Sequence, residues 1–239
     1  MKTAKLVSLK QSQGFGLTNN QLKIFAMIAM LIDHIGYWFF PTYEYLRYIG
    51  RLSFPIFAYM IAEGCFYTRD RGRYLSNVAA LALLCQAVYL VFMGSAQQGI
   101  LITFTLSIVS VCSIDGFFGQ KRIWIKAACV FAFLGVLFLA LVAPVLYKGY
   151  GFIIDYGVFG VALPVGLYYT KGKWSKIFCC GLFLTGVALM LGGRQWLGLA
   201  ALPILALYNG KKGEVNLKYA FYIFYPSHLA LIYLISMLL

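Results

Sequence analysis

The sequence predicts an all-α polytopic membrane protein, a bundle of about nine transmembrane helices with a cytoplasmic N-terminus. Three observations predict it. Of 239 residues, 62% are hydrophobic and 11% charged, where a soluble domain is about a quarter charged. Apolar runs of roughly the 20 residues that cross a bilayer recur along the chain. The basic residues sit mainly in short loops between those runs, where they set topology. The formal charge of +13 therefore carries no expectation of a nucleic-acid partner.

Residues 1–21 read as a polar cytoplasmic tail with Lys2, Lys5 and Lys10, and residues 22–239 as one membrane domain. No cleavable signal peptide is expected, because the first apolar run is too long and lacks a small-residue cleavage site. Thr18-Asn19-Asn20-Gln21 has the form of a capping box and starts the first helix. Span 1 runs to about Phe40 and stops at Pro41. Span 2 covers about Ile49–Tyr67, and Pro55 is expected to bend it. The basic loop Arg69–Arg73 leads to span 3 near Leu75–Met93, and Gly94–Gln98 turns into span 4 near Gly99–Ile114. Span 5 is about Ile123–Leu146, span 6 about Gly151–Tyr169, and span 7 ends near Leu191. Span 8 runs from Arg194 to about Tyr208, and span 9 from Tyr219 to Leu238.

With the N-terminus inside, Arg47, Arg51, Lys148 and Arg194 fall outside and the other sixteen of the twenty Lys and Arg residues fall inside. That asymmetry fits the positive-inside rule for both span count and orientation. The six cysteines lie in or beside apolar runs without a CxxC spacing, and read as small buried hydrophobes. No metal site is expected from two histidines without further ligands.

Span 1 carries Lys23, Asp33 and His34. Charge at bilayer depth costs about 3 kcal/mol on insertion scales, so each such group needs a partner or a task. Lys23 and His34 are eleven positions apart, which puts them on one helix face, roughly 16 Å apart along the axis. His34 lies roughly 18 Å from the cytoplasmic end, past the midplane, and is suited to general-base work. Arg51, at similar depth in the returning span, is the expected ion-pair partner of Asp33. Glu63 is expected to pair with Lys23 or with loop arginines. Asp155, Arg194 and Gln195 gather at the outer surface and could shape an acceptor site. In span 9, Tyr225-Pro226-Ser227-His228 puts a kink beside a second intramembrane histidine, a mark of a cavity wall.

Several motifs resemble one family. They are Leu22-Lys23-Ile24 leading to Ile32-Asp33-His34-Ile35-Gly36, Ile49-Gly50-Arg51-Leu52-Ser53-Phe54-Pro55-Ile56-Phe57 with Glu63-Gly64, and Asp155-Tyr156-Gly157-Val158-Phe159-Gly160. Leu207-Tyr208-Asn209-Gly210 and Lys218-Tyr219 with Phe224-Tyr225-Pro226-Ser227-His228-Leu229 complete the set. In this order they resemble the TraX family, named for a conjugation protein that acetylates the N-terminus of F-type pilin and grouped with larger membrane-bound acyltransferases. Those carry a basic residue and a histidine with ten residues between them in the first span, as Lys23 and His34 stand here.

The resemblance implies an acyltransferase domain in the bacterial cytoplasmic membrane. An acyl-CoA donor, acetyl-CoA most simply, would dock its phosphates at Lys23 with help from Arg69, Arg71 or Arg73. Its thioester would sit by His34, the base for an amine or hydroxyl of an extracytoplasmic acceptor such as pilin, a peptide or a glycan. His228, or a nearby tyrosine such as Tyr225, would stabilise the oxyanion. Membrane lipid surrounds the domain. Two other readings compete. One is a non-catalytic scaffold or chaperone for a small membrane protein. The other is a transporter using Asp33, Glu63 and His34 as a proton path, which should show an internal repeat, and the sequence has none evident.

Overall fold

A computed structural model describes residues 16–94, 97–213 and 217–238. Lys2, Lys5 and Lys10 of the expected tail lie outside the described residues. Within them the chain is helical, with two isolated β-bridges and no strand. Helix α1 is Asn19–Trp38, and it starts at the expected capping box. The Thr18 hydroxyl accepts from the Gln21 N–H at 3.3 Å, and Gln21 Oε1 accepts from the Thr18 N–H at 2.8 Å.

The expected second span is two helices, α2 (Glu44–Gly50) and α3 (Ser53–Tyr67). The chain breaks at Arg51–Leu52 rather than bending at Pro55. Pro55 falls in the first turn of α3, where its missing N–H forfeits no helical hydrogen bond. Ten of the fifteen α3 residues are buried, and α3 packs against α1 and four or more later helices, so it is the core of the bundle. A helix that is apolar all round is one that other helices surround.

Helices α4 (Arg71–Met93), α5 (Ile100–Gly119) and α6 (Ile123–Leu137) follow. The last continues through a π-helical turn, Phe138–Val142, into Ala143–Leu146. Helix α7 is Gly157–Tyr169, shorter than the expected sixth span. It begins late because Tyr156 (φ +61°) and Gly157 (φ +57°) make a left-handed turn before it. Helix α8 is Lys173–Leu191. The expected eighth span is a 3₁₀ stretch, Gly193–Ala200, followed by a short α9, Ala201–Ala206. Helix α10 is Lys218–Leu238.

Among the described residues, five helical segments are long and apolar enough to cross a membrane: Arg71–Val91, Ile100–Gly119, Ile123–Leu146, Lys173–Leu191 and Ala220–Leu238. The protein is a membrane protein on that ground. The inner helices are the ones that fall short. Lys23, Asp33 and His34 dilute α1, while α3 and α7 are short. The outer surface is apolar, with Trp124 84% and Phe131 75% exposed on α6. In a bilayer such faces meet lipid.

Helices α1 and α3 run antiparallel. Asn19 meets Met60 at one end (2.9 Å), and Asp33 meets Arg51 at the other. Polar side chains gather at those two ends. One end holds Glu63 with Lys176, and Arg71 with Asp115. The other holds Asp33, Arg47, Arg51, Asp155 and Gln195.

Candidate active site

The site is built around Asp33. Arg47 Nη1 meets its Oδ2 at 2.9 Å, and Arg51 Nη2 meets its Oδ1 at 3.3 Å. The expected Asp33–Arg51 pair is present, and Arg47, which was not among the expected partners, makes the shorter contact. The four-residue spacing of Arg47 and Arg51 was the available signal, because it places both on one helical face. The break at Arg51–Leu52 lets both guanidinium groups turn back toward α1. Arg51 also donates to Tyr156 Oη at 3.4 Å. Gly50 makes the approach possible, since a Cβ there would lie 2.2 Å from Asp33 Oδ1 and 2.3 Å from Asp33 Cβ.

Next to this charge cluster is a cavity of about 730 Å³, within the usual range of small-molecule sites. His34, Asp155, Tyr156, Gln195, Tyr89 and Tyr225 are among the residues that line it. Its loops are held by specific bonds. Gln86 donates to Gln97 O at 2.9 Å and accepts from the Gly99 N–H at 3.1 Å. Thr103 Oγ1 donates to Asp155 O at 2.8 Å, and Asp155 N–H donates to Gln98 O at 3.1 Å. The Tyr156 ring stacks on Phe54 with centroids 3.8 Å apart. These contacts offset the cost of a non-glycine residue at positive φ, of order 1–3 kcal/mol, and aim Asp155 at the cavity. Asp155 makes no ion pair within 4 Å among the described residues, which leaves its carboxylate available to an incoming group.

His34 projects from α1 into the same cavity. Its Nδ1 lies 2.8 Å from Met30 O. A carbonyl oxygen only accepts, so Nδ1 carries the proton and Nε2 of the neutral ring is a free lone pair. His228 approaches from α10, with its ring centroid 5.1 Å from that of His34. Its Nδ1 is likewise committed, to Phe224 O at 2.8 Å. A neutral His228 in this tautomer has no free N–H, so the oxyanion role expected from the sequence needs a protonated ring. Tyr225 keeps its expected place on the cavity wall. Pro226 sits inside α10, and Ser227 Oγ donates to Ile223 O at 2.7 Å.

Other expected site residues stand elsewhere. Lys23 lies over the Phe221 ring (5.1 Å) near the other end of α1 and does not line the cavity. Arg71 is engaged by Asp115 and Tyr168, so it is not a free phosphate ligand. Arg73 pairs with Asp70 at 3.7 Å on the surface, and Arg69 is exposed nearby. Glu63 is buried and pairs with Lys176 at 2.7 Å, not with Lys23 or a loop arginine. Arg194 meets Glu44 at 3.8 Å on the surface, while its neighbour Gln195 reaches the cavity.

A helical bundle with several helices long and apolar enough to cross a membrane, and a charged cavity lined by an imidazole, defines a membrane protein with a polar site among its helices. The family model described as TraX protein matches residues 18–236, and the chain belongs to the TraX family. It is 29% identical over 247 aligned positions to the probable fimbrial assembly protein FimC, serogroup H1, of Dichelobacter nodosus, covering 89% of this chain and 93% of that relative. It is 27% identical over 168 positions to the uncharacterised protein RP591 of Rickettsia prowazekii (strain Madrid E), covering 68% of this chain and 61% of that one. No solved structure matches.

Proposed function

We propose that the protein is an integral-membrane acyltransferase. It moves an acyl group, acetyl in the simplest case, from a cytoplasmic CoA thioester to an amine or hydroxyl of an extracytoplasmic acceptor. The observation that carries this reading is His34: an imidazole in the wall of a polar cavity, with Nδ1–H fixed on Met30 O and Nε2 left as a lone pair. That is the arrangement of a general base. His34 takes the proton from the acceptor nucleophile as the nucleophile attacks the thioester carbonyl. The acyl–sulfur bond breaks, and the proton passes to the leaving thiolate. Asp155 and Gln195 face the acceptor on the outer side. The fimbrial assembly name of the relative in D. nodosus makes pilin the first acceptor to try, with peptides and glycans after it.

On this reading the chain crosses the bacterial cytoplasmic membrane about nine times with its N-terminus inside. Lys23 then lies on the cytoplasmic side as a point charge for donor phosphates. Lys212 lies close enough to act on it electrostatically and joins it in that task. The donor's arm passes from Lys23 to His34 along α1, a distance of roughly 16 Å. Helix α10, which packs mainly on α1 and α4, is the element that must part to admit it.

The test is binding of acetyl-CoA to purified protein in detergent, with Lys23→Ala beside the wild type and His34→Ala as the chemistry control. Saturable binding weakened at least tenfold by Lys23→Ala, and transfer abolished by His34→Ala with binding retained, is the expected result. No binding by folded protein would sink the enzyme and favour a scaffold for a pilus component.

A further inference from the structure

The deepest unused chemistry in the protein belongs to His228. Its residue is 4% exposed, and its Nε2 is a buried acceptor that no donor among the described residues reaches. Leaving such an atom unsatisfied costs about 1–3 kcal/mol. The ring is nonetheless firmly placed. Nδ1–H is tied to Phe224 O, the Phe224 ring stacks on it (4.7 Å, 9° between planes), and Tyr225 meets it edge-on at 5.7 Å. His34 meets it at 5.1 Å and 74°. Both histidines therefore use one device. Each donates Nδ1–H to the carbonyl four residues back on its own helix, and each keeps Nε2 as a lone pair. Two lone pairs cannot satisfy each other. One added proton changes that, because two rings with centroids 5.1 Å apart can turn their Nε2 atoms toward each other and close an N–H···N bond of about 3 Å.

We propose that His228 is a positioning residue that accepts a hydrogen bond from His34 once His34 has taken up a proton, so that the two rings hold one proton between them. The proposal rests on the acyl-transfer reading for its chemistry. The acceptor's N–H or O–H gives its proton to His34 Nε2 as its bond to the acyl group forms, and once the acylated product has left that nitrogen the imidazolium donates to His228 Nε2. The charge formed inside the bundle is thereby shared, and the His34 ring is kept aligned. By then the acyl–nitrogen or acyl–oxygen bond has formed and the acyl–sulfur bond has broken. The proton then leaves the pair for the thiolate, which restores two neutral rings. Asp33, Arg47 and Arg51, with Cys85 and Tyr89 on α4, line the cavity with His34, and Tyr225 meets the His228 ring. Asp33 is held by the two arginines. His228 is thus the ring nitrogen base left beside His34, since these are the only two histidines in the chain.

That pair of histidines makes the test direct. Protein labelled with ¹⁵N-histidine, in detergent and without donor or acceptor, gives the Nδ1 and Nε2 signals of two rings. At neutral pH both rings are expected as the Nδ1–H tautomer. On acidification the two protons are expected to enter in two separate steps, with a coupling across the N–H···N bond between the rings after the first. His34→Phe should abolish that coupling and leave the His228 tautomer unchanged. A proton on Nε2 of His228 at neutral pH would overturn the proposal, as would simultaneous protonation of both rings without coupling. Because no acetyl-CoA is present, failure here leaves the acyltransferase reading standing. Failed donor binding with an intact coupled pair would instead remove that reading and keep the pair.

Discussion

At the scale of single residues, Gly50 decides whether the charge cluster can form. Its position lets the α1 backbone bring Asp33 between Arg47 and Arg51, and the atoms a Cβ would strike include Asp33 Cβ, which cannot swing away as a chain end can. Gly50→Ala is therefore expected to push α1 and α2 apart and lengthen both ion pairs. The loss should be about 1–3 kcal/mol, the usual cost of overpacking. Thermal unfolding in detergent reads it, and an unchanged midpoint would mean that the two elements separate freely. Gly36 is a milder version of the same contact, since a Cβ there would lie 2.6 Å from Leu46 Cβ. Asp33 itself was legible from sequence because an intramembrane carboxylate requires a cation at equal depth. Arg47 was harder to see, since its part depends on a helix break that apolar periodicity does not mark.

At the scale of elements, the contact between α3 and α8 depends on a buried pair. Glu63 and Lys176 are 113 positions apart in the chain, with side chains 6% and 17% exposed. Tyr208 adds a hydrogen bond to Glu63 at 3.4 Å, and Lys176 lies 5.4 Å from the Tyr59 ring. Lys176→Met strands a carboxylate in the core and should cost about 3–5 kcal/mol. The double variant Glu63→Gln with Lys176→Met should recover most of that, because the cost comes from the orphaned charge rather than from the lost pair. Equal destabilisation by single and double variants in a detergent melt would contradict this account. The sequence showed that Glu63 needed a partner but not which one. Local signals such as the Thr18 cap act within a few residues and are readable directly. The choice of Lys176 over Lys23 depends on which helices touch, and helices that are apolar on every face give no register for that. The same blindness explains the eighth span. Gly193–Ala200 is apolar enough to read as part of a helix, yet Gly192 and Gly193 at positive φ turn the chain into a 3₁₀ path.

At the scale of the whole molecule, the polar contacts obey the sidedness that the loops imply. Groups expected on the inner side meet one another: Glu63 with Lys176 and Tyr208, and Arg71 with Asp115 and Tyr168. Groups expected on the outer side do the same: Asp33 with Arg47 and Arg51, and Gln98 with Asp155. Among the described residues no ion pair crosses between the two sets, which is what alternating crossings produce. This internal agreement is independent of which side faces the cytoplasm, and it makes the orientation testable with one pair of residues. Lys148 and Lys173 are both exposed and flank the segment that contains α7. With the N-terminus inside, Lys148→Cys should react with a membrane-impermeant thiol reagent in intact cells, and Lys173→Cys only after the membrane is opened. The parent protein provides the baseline, since its six cysteines are free and buried or half-buried. The reverse pattern would invert the bundle and place Lys23 on the wrong side for a cytoplasmic donor. Labelling of both positions in intact cells would put the two ends of α7 on one face, and α7 would then be a re-entrant helix, as its thirteen residues allow. Only the expected pattern leaves His34 between a donor from inside and an acceptor from outside.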